Sequence, residues 1–152
     1  MSSKLTIIGC RAGSPGRNGP ASGYVVETGG VRIIIDCGPG VLAGLAERGL
    51  TDDVDALIIS HQHADHSADV PPFGYHRSFP VIQPPVPLYG PVGIGTYLDT
   101  LDDIHGIPTI PEMATPIATQ FPIHEVEPGD SFEVKGVLVD TLRAFHPVPC
   151  IS

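Results

Sequence analysis

The sequence predicts an α/β fold, and three observations carry that prediction. Short apolar, β-branched runs alternate along the chain with segments of helical spacing. Gly- and Pro-rich stretches separate them and mark loops. The apolar run Val54-Asp55-Ala56-Leu57-Ile58-Ile59 leads directly into Ser60-His61-Gln62-His63-Ala64-Asp65-His66, which places a dense set of polar ligands at the end of a buried strand. Strands interleaved with helices imply a layered sheet with helices packed on it.

Taken in order, residues 5–9, 22–27 and 31–36 read as strands, with Gly29-Gly30 as a hairpin turn between the last two. The loop Arg11–Pro20 is too rich in Gly and Pro for regular structure. A helix is predicted over about 40–48, with Val41, Leu42, Leu45 and Ala46 as its apolar face and Gly49 placed as its C-terminal cap. A strand over 54–60 precedes the ligand run, and a further helix should start near Asp65. Residues 71–87 hold six prolines, so any helix there should be interrupted, and a surface loop near the site is the expectation. A short strand at 87–90, a helix at 93–104 and a proline-rich stretch at 108–122 follow. Strands near 123–127, 131–135 and 137–145 close the chain. No repeat or linker divides it, and residues 1–152 read as a single domain.

Composition narrows the function. The chain is 41% hydrophobic and 16% charged, a globular profile. No apolar run approaches the roughly 20 residues of a membrane span. Met1-Ser2-Ser3-Lys4 runs straight into a strand-like segment, with no signal peptide in view, so a cytoplasmic protein is expected. Cys10, Cys37 and Cys150 are odd in number and lack close pairing, which suggests buried free thiols, one of them conceivably beside the ligand cluster. With a net charge of −9 and eight Lys and Arg residues, long polyanions are disfavoured as partners.

The chemistry lies in the H-x-H-x-D-H run. His61, His63, Asp65 and His66 fall within six positions, a density that packing does not explain. Imidazole and carboxylate suit Zn²⁺ and other divalent first-row ions. Side chains two apart on an extended chain share a side, so His61 and His63 can grip one ion while Asp65 and His66 face a second. Two ions about 3.5–4 Å apart form a hydrolytic device. A Ser60–His61 nucleophile pair is disfavoured, since adjacent strand residues face opposite ways. His76 and Arg17 are candidate substrate contacts, although exposed or packing roles compete for both. His105, at a helix end, and His124, in a strand-like stretch, are not assigned to metal.

These motifs resemble the metallo-β-lactamase superfamily of metal-dependent hydrolases. Its marks here are Thr6-Ile7-Ile8-Gly9-Cys10, Ile35-Asp36-Cys37-Gly38, the H-x-H-x-D-H run and Phe145-His146-Pro147. The resemblance implies an αββα sandwich, of which this chain would form the N-terminal part. It also implies a first metal held by His61, His63 and His146, and a second site begun by Asp65 and His66. Asp36 would brace the metal loop, and Asp65 would be the catalytic carboxylate. Two Zn²⁺ ions are implied for a complete enzyme, with Mn²⁺ or Fe as substitutes. The bridging Asp and last His of the family pattern would fall beyond Ser152.

The first loop and His146-Pro147-Val148-Pro149-Cys150 are similar to the ribonuclease Z-like branch and its cyclic-nucleotide phosphodiesterase relatives. Arg17-Asn18 matches the ribonuclease's basic loop only in part. The implied function is therefore hydrolysis of a small phosphodiester through a metal-activated water. Precursor-tRNA 3′ processing is the alternative, and a metal-binding but catalytically silent chain is a second one. An open strand edge also leaves room for pairing into a homodimer.

Overall fold

The structure, a computed structural model, describes residues 2–152. Strands β1 (Lys4–Gly9), β2 (Gly23–Thr28) and β3 (Val31–Ile35) form an antiparallel meander. Gly29 and Gly30 turn between the last two with φ of 60° and 84°, the doubly left-handed turn that matches strand twist. Helix α1 (Val41–Ala46) then carries the chain back to β4 (Ala56–Ile58), which pairs parallel to β3. Gly49, at φ 63°, lets its own N–H reach the Ala46 carbonyl and the Leu50 N–H reach that of Leu45. These bonds satisfy the carbonyls the helix end leaves open. The buried face of α1 is Val41, Gly44 and Leu45. Ala46 is exposed instead, because Gly44 sits against Ile8 and a Cβ there would lie 2.6 Å from the Ile8 Cγ2.

The helix expected to start near Asp65 is a single turn, α2 (Ala64–Ser67), followed by α3 (Val70–Ser78). The interruption expected from Pro71-Pro72 does not occur within α3. Both prolines occupy its first turn, where a missing N–H costs nothing because that donor has no partner in the helix. Strand β5 (Leu88–Pro91), helix α4 (Ile94–His105), a 3-10 turn at Pro111–Met113, helix α5 (Pro116–Gln120) and strand β6 (Ile123–Val126) complete the first sheet. Its order is β1-β2-β3-β4-β5-β6, with β3 to β6 all parallel.

Strands β7 (Ser131–Val134) and β8 (Val137–Asp140) form a separate antiparallel pair. The strand expected to reach residue 145 stops at Asp140. Thr141 turns aside, its hydroxyl sharing its one proton between the Glu127 and Asp130 carbonyls. Pairing then switches partner, so that Leu142 exchanges both backbone bonds with Ser152.

The first sheet buries both faces differently. On one side Val25, Ile34, Leu57 and Leu88 pack under the helices against Leu45, Phe73, Leu98 and Phe121. On the other, Ile33, Ala56, Ile58 and Val126 meet Val134 of the β7–β8 pair and Ile151. The Tyr89 ring stacks on Phe132 there at 3.9 Å. Strand alternation sorts the two sets, since Ile33 and Ile35 point one way and Ile34 the other.

Candidate metal centre

The site lies at the carboxyl ends of the parallel strands β3 and β4, where open α/β sheets place their ligands. Asp36 follows β3 in a left-handed backbone conformation, φ 61°, which Asp tolerates better than most residues. Its carboxylate is 3% exposed and collects the elements of the site. One oxygen, Oδ1, accepts the Ser60 N–H at 2.8 Å. The other, Oδ2, accepts the Ser22 hydroxyl at 3.0 Å and His66 Nδ1–H at 2.6 Å. The backbone N–H groups of Cys37 and Ser22 bond the His66 and Asp65 carbonyls, tying the ligand run down to β2 and β3. Gly38 is needed for that approach, because a Cβ there would lie 1.9 Å from the Asp65 carbonyl oxygen.

His61, His63 and His146 each offer a ligand atom, and these atoms all lie within 4.8 Å of one another. His61 and His63 follow the end of β4 rather than forming part of it, so their convergence comes from the bend at 61–63 as well as from alternation. His146 arrives on the segment after β8. There the Ile151 N–H donates to the Ser60 carbonyl at 3.0 Å and joins the two parts of the chain. The second pair stands alongside, with His66 Nε2 3.5 Å from Asp65 Oδ2 and the His61 and His66 ring centroids 4.0 Å apart. The Gly13 N–H, from the first loop, donates to the same Asp65 oxygen at 2.7 Å.

The electrostatics follow from this crowding. Burial, with the charges that His66 and His146 would carry, pushes His61 down to about 4, so its imidazole is neutral at neutral pH. His66 moves the other way, because its hydrogen bond to Asp36 stabilises the charged form. Burial alone would raise Asp65, but the Gly13 N–H and the neighbouring His66 outweigh it and hold the carboxyl below its usual range.

The remaining residues marked in the sequence lie elsewhere. Arg17 lines a cavity of about 480 Å³ with Arg48 and Glu47 beside α1. His76 is on α3, its ring 6.3 Å from Phe73. His105 ends α4, where its carbonyl accepts the Tyr75 hydroxyl, and His124 stacks on Tyr89. Among the thiols, Cys37 is buried and burial raises its pKa well above normal, but Cys10, expected inside, is exposed just after β1 ends. Cys150 Sγ is 3.8 Å from His61 Nδ1.

Sequence reasoning passed over Ser22, Gly13 and, above all, Ser60. Strand alternation would set Ser60 and His61 on opposite sides, yet Ser60 Oγ is 3.0 Å from His61 Nδ1, because β4 has already ended at Ile58.

Whether these residues suit a metal can be judged from the structure itself. The Nδ1 atom of His146 is buried with no hydrogen-bond partner, the kind of orphaned nitrogen that a bound ion would satisfy. The donor set of imidazoles and a carboxylate suits a divalent ion, and the neutral state of His61 leaves a lone pair for it. The residues fit.

The fold and the clustered ligand candidates agree with one family. Residues 16–150 match the Metallo-beta-lactamase superfamily, and the chain belongs to it. It is 38% identical over 74 residues to the probable metallo-hydrolase YhfI of Bacillus subtilis, covering 49% of this chain and 30% of that protein. It is 25% identical over 160 residues to ribonuclease Z of Methanosarcina acetivorans, covering 98% of this chain and 47% of that one. The crystal structure of Bacillus subtilis YhfI superposes with a TM-score of 0.79 at 26% identity, over 99% of this chain and 57% of the other. A diphosphatase of the PhnP family superposes at 0.69 with 22% identity, over 99% and 61%, and that likeness concerns the fold. The chain thus spans about half the length of these curated relatives or less. Among the described residues, no helix is long and apolar enough to cross a membrane.

Proposed function

We propose that this chain supplies the metal centre of a hydrolase that cleaves phosphodiester bonds in small substrates, such as a cyclic nucleotide. The observation that carries this reading is the convergence of His61, His63 and His146 beside the Asp65–His66 pair, whose His66 is bonded to Asp36. Zn²⁺ is the leading ion, and when bound it would supply Lewis-acid stabilisation of phosphoryl oxygens and a water activated at neutral pH.

The chain's own residues do the rest. His61, His63 and His146 would hold an ion at the first position through ring nitrogens, and a carboxylate oxygen of Asp65 with a ring nitrogen of His66 would begin the second. Asp65, kept ionised with Gly13 as its fixed donor, orients the proton of an attacking water at the Oδ atom left free. A cavity of about 450 Å³ lies beside His146, walled by Arg143, Phe145 and Cys150, and among the five ligand candidates it is lined by His146 alone. We propose Arg17 and His76 as outlying substrate contacts.

The net charge of −9 favours a small phosphodiester over a long RNA, whose affinity rests on releasing counterions to Lys and Arg. Precursor-tRNA cleavage remains the second reading, supported by the likeness to ribonuclease Z. Turnover of a cyclic nucleotide and of precursor tRNA, measured side by side at matched metal loading, decides between them. Faster cleavage of the cyclic nucleotide is expected. Efficient tRNA cleavage with steep salt dependence would favour the second reading, and metal binding without turnover of either would mark a silent centre.

A further inference from the structure

Ser60 Oγ lies within hydrogen-bonding reach of three groups at once: Asp36 Oδ2 at 3.1 Å, His61 Nδ1 at 3.0 Å and His66 Nδ1 at 3.2 Å. A hydroxyl has one proton to give and two lone pairs to accept with. Where that proton goes decides which nitrogen of His61 is free.

The allocation can be worked out from the partners. His66 Nδ1 is 2.6 Å from Asp36 Oδ2, so it carries a proton and gives it to the carboxylate. It therefore cannot accept from Ser60. Two acceptors remain for the Ser60 proton, the Asp36 carboxylate and the His61 nitrogen. The carboxylate wins, because a hydrogen bond to an ionised acceptor is about twice as strong as one between neutral groups, and Oδ2 takes Ser60 as a third donor beside Ser22 and His66. The Ser60 N–H already holds the other carboxylate oxygen at 2.8 Å, which fixes the carboxylate's orientation for this contact. With its proton committed to Asp36, Ser60 Oγ can only accept from His61, and it is the nearer partner of that nitrogen at 3.0 Å, with the Cys150 thiol at 3.8 Å. His61 then carries its proton on Nδ1, and Nε2 is left with a lone pair for the cluster it forms with His63 and His146.

We infer that Ser60 is a positioning residue that relays the Asp36 carboxylate to His61, so that one buried carboxylate sets the tautomers of a ligand at both metal positions: His66 directly, and His61 through the serine hydroxyl. Nothing in the chain order suggests this coupling, since Asp36 stands 24 residues before Ser60 and 30 before His66. The reverse arrangement, with Ser60 donating to His61 Nδ1, would leave the proton on Nε2 and block the first position. Second contacts of this kind typically change metal affinity by 10- to 100-fold. The inference rests on the metal-centre reading but not on any substrate.

The test is made on the metal-free protein by ¹⁵N-detected NMR of the histidine rings, which reports tautomers without any turnover. At neutral pH, His61 is expected as the Nδ1–H form. In Ser60→Ala its ring should shift toward the Nε2–H form while His66 keeps its proton on Nδ1. Ser60→Thr retains the hydroxyl and should restore the original pattern. Zn²⁺ titration should then show a 10- to 100-fold loss at the first position in Ser60→Ala and recovery in Ser60→Thr, with the Asp65–His66 position changed less. Asp36→Asn should weaken both positions. An Nε2–H form of His61 in the unaltered protein, or a Ser60→Ala ring spectrum identical to it, would overturn the relay. Failure of phosphodiester turnover with these tautomers intact would count against the proposed function alone.

Discussion

The two faces of the six-stranded sheet are built in different ways, and the candidate metal centre sits where they meet. The helix-covered face closes on itself: Val25, Ile34, Leu45, Leu57, Phe73, Leu88 and Phe121 are all at 0% exposure. Its strands and helices also hold four of the five ligand candidates, since His61, His63, Asp65 and His66 follow β4 and are tied to β2 and β3 through Asp36 and Gly38. The opposite face is covered where the β7–β8 pair and Ile151 lie. Leu5 and Ile7, on β1, remain 62% and 56% exposed, while the same face at Ile33 is 3% exposed. This second layer supplies His146. The first metal position thus depends on both layers, and the second on one.

That contrast can be broken most forcefully from the helix side. Leu45→Ala removes a fully buried side chain from the larger core and should cost about 2–5 kcal/mol, because transfer energy and a residual cavity add. Chemical denaturation measures it. Affinity for Zn²⁺ in the folded fraction should stay unchanged, since Leu45 takes part in none of the hydrogen bonds that Asp36, Ser22 and Cys37 make to the ligand run. A selective loss of metal with stability intact would mean that the two layers are not independent.

Val134→Ala perturbs the other layer. Val134 is 4% exposed and packs against Ile33, Ala56 and Ile58. Two lost methyl groups should cost about 2 kcal/mol, less than Leu45→Ala. Here the effect should reach the site unevenly: Zn²⁺ affinity at the His61–His63–His146 position should fall, and that of Asp65 and His66 should hold. Calorimetric titration resolves the two. Equal loss at both positions would show that His146 is not carried by this layer alone.

Much of this was legible in the sequence, for reasons that differ by residue. Gly29-Gly30 announced the β2–β3 turn because few other pairs take two positive φ values. The H-x-H-x-D-H run announced a cluster of candidate ligands because imidazoles and carboxylates so dense have little other use. Helix α3 was hidden by Pro71-Pro72, which read as a break when they mark a start. The end of β8 was hidden because Leu142-Arg143-Ala144-Phe145 has strand character, and only the tertiary switch of partner to Ile151 and Ser152 shows where the ladder ends. Ser60 was misjudged for want of one fact, that β4 stops before it. Side-chain alternation is a rule for strands and lapses where a strand stops.

The seam between the layers also has a pH signature in the metal-free protein. His61 has an ordinary pKa of 6.5 when unfolded and about 4 when folded, chiefly through burial. A depressed histidine stabilises the fold above its unfolded pKa, and that contribution is lost as pH falls from 6.5 toward 4. His66, raised by Asp36, has the opposite sign: its contribution is already complete below 6.5 and is lost on going higher, so it does not change within the acid window. Melting temperature should therefore fall between pH 6.5 and 4, and His61→Gln should flatten that fall. An unchanged slope in His61→Gln would place the acid sensitivity elsewhere.

The smallest effect is expected at the uncovered end of the inner face, where the comparison is most easily sharpened. Ile7 is on β1 opposite Tyr24 and is 56% exposed, so Ile7→Thr gives up little burial and retains a β-branched side chain suited to a strand. Its cost should stay within about 0.5 kcal/mol, the range of ordinary surface changes. Ile8, the next residue, faces the helices at 5% exposure, so Ile8→Thr serves as the internal control and should cost several times more. Measured at two protein concentrations, the pair also reports on covering of the face. If Ile7→Thr costs more than about 1 kcal/mol, and more at the higher concentration, then a second copy covers Leu5 and Ile7 in solution. If it costs that much at both concentrations alike, something within the same molecule covers them. A negligible cost at both would establish that one face of this sheet is closed and the other is open along β1.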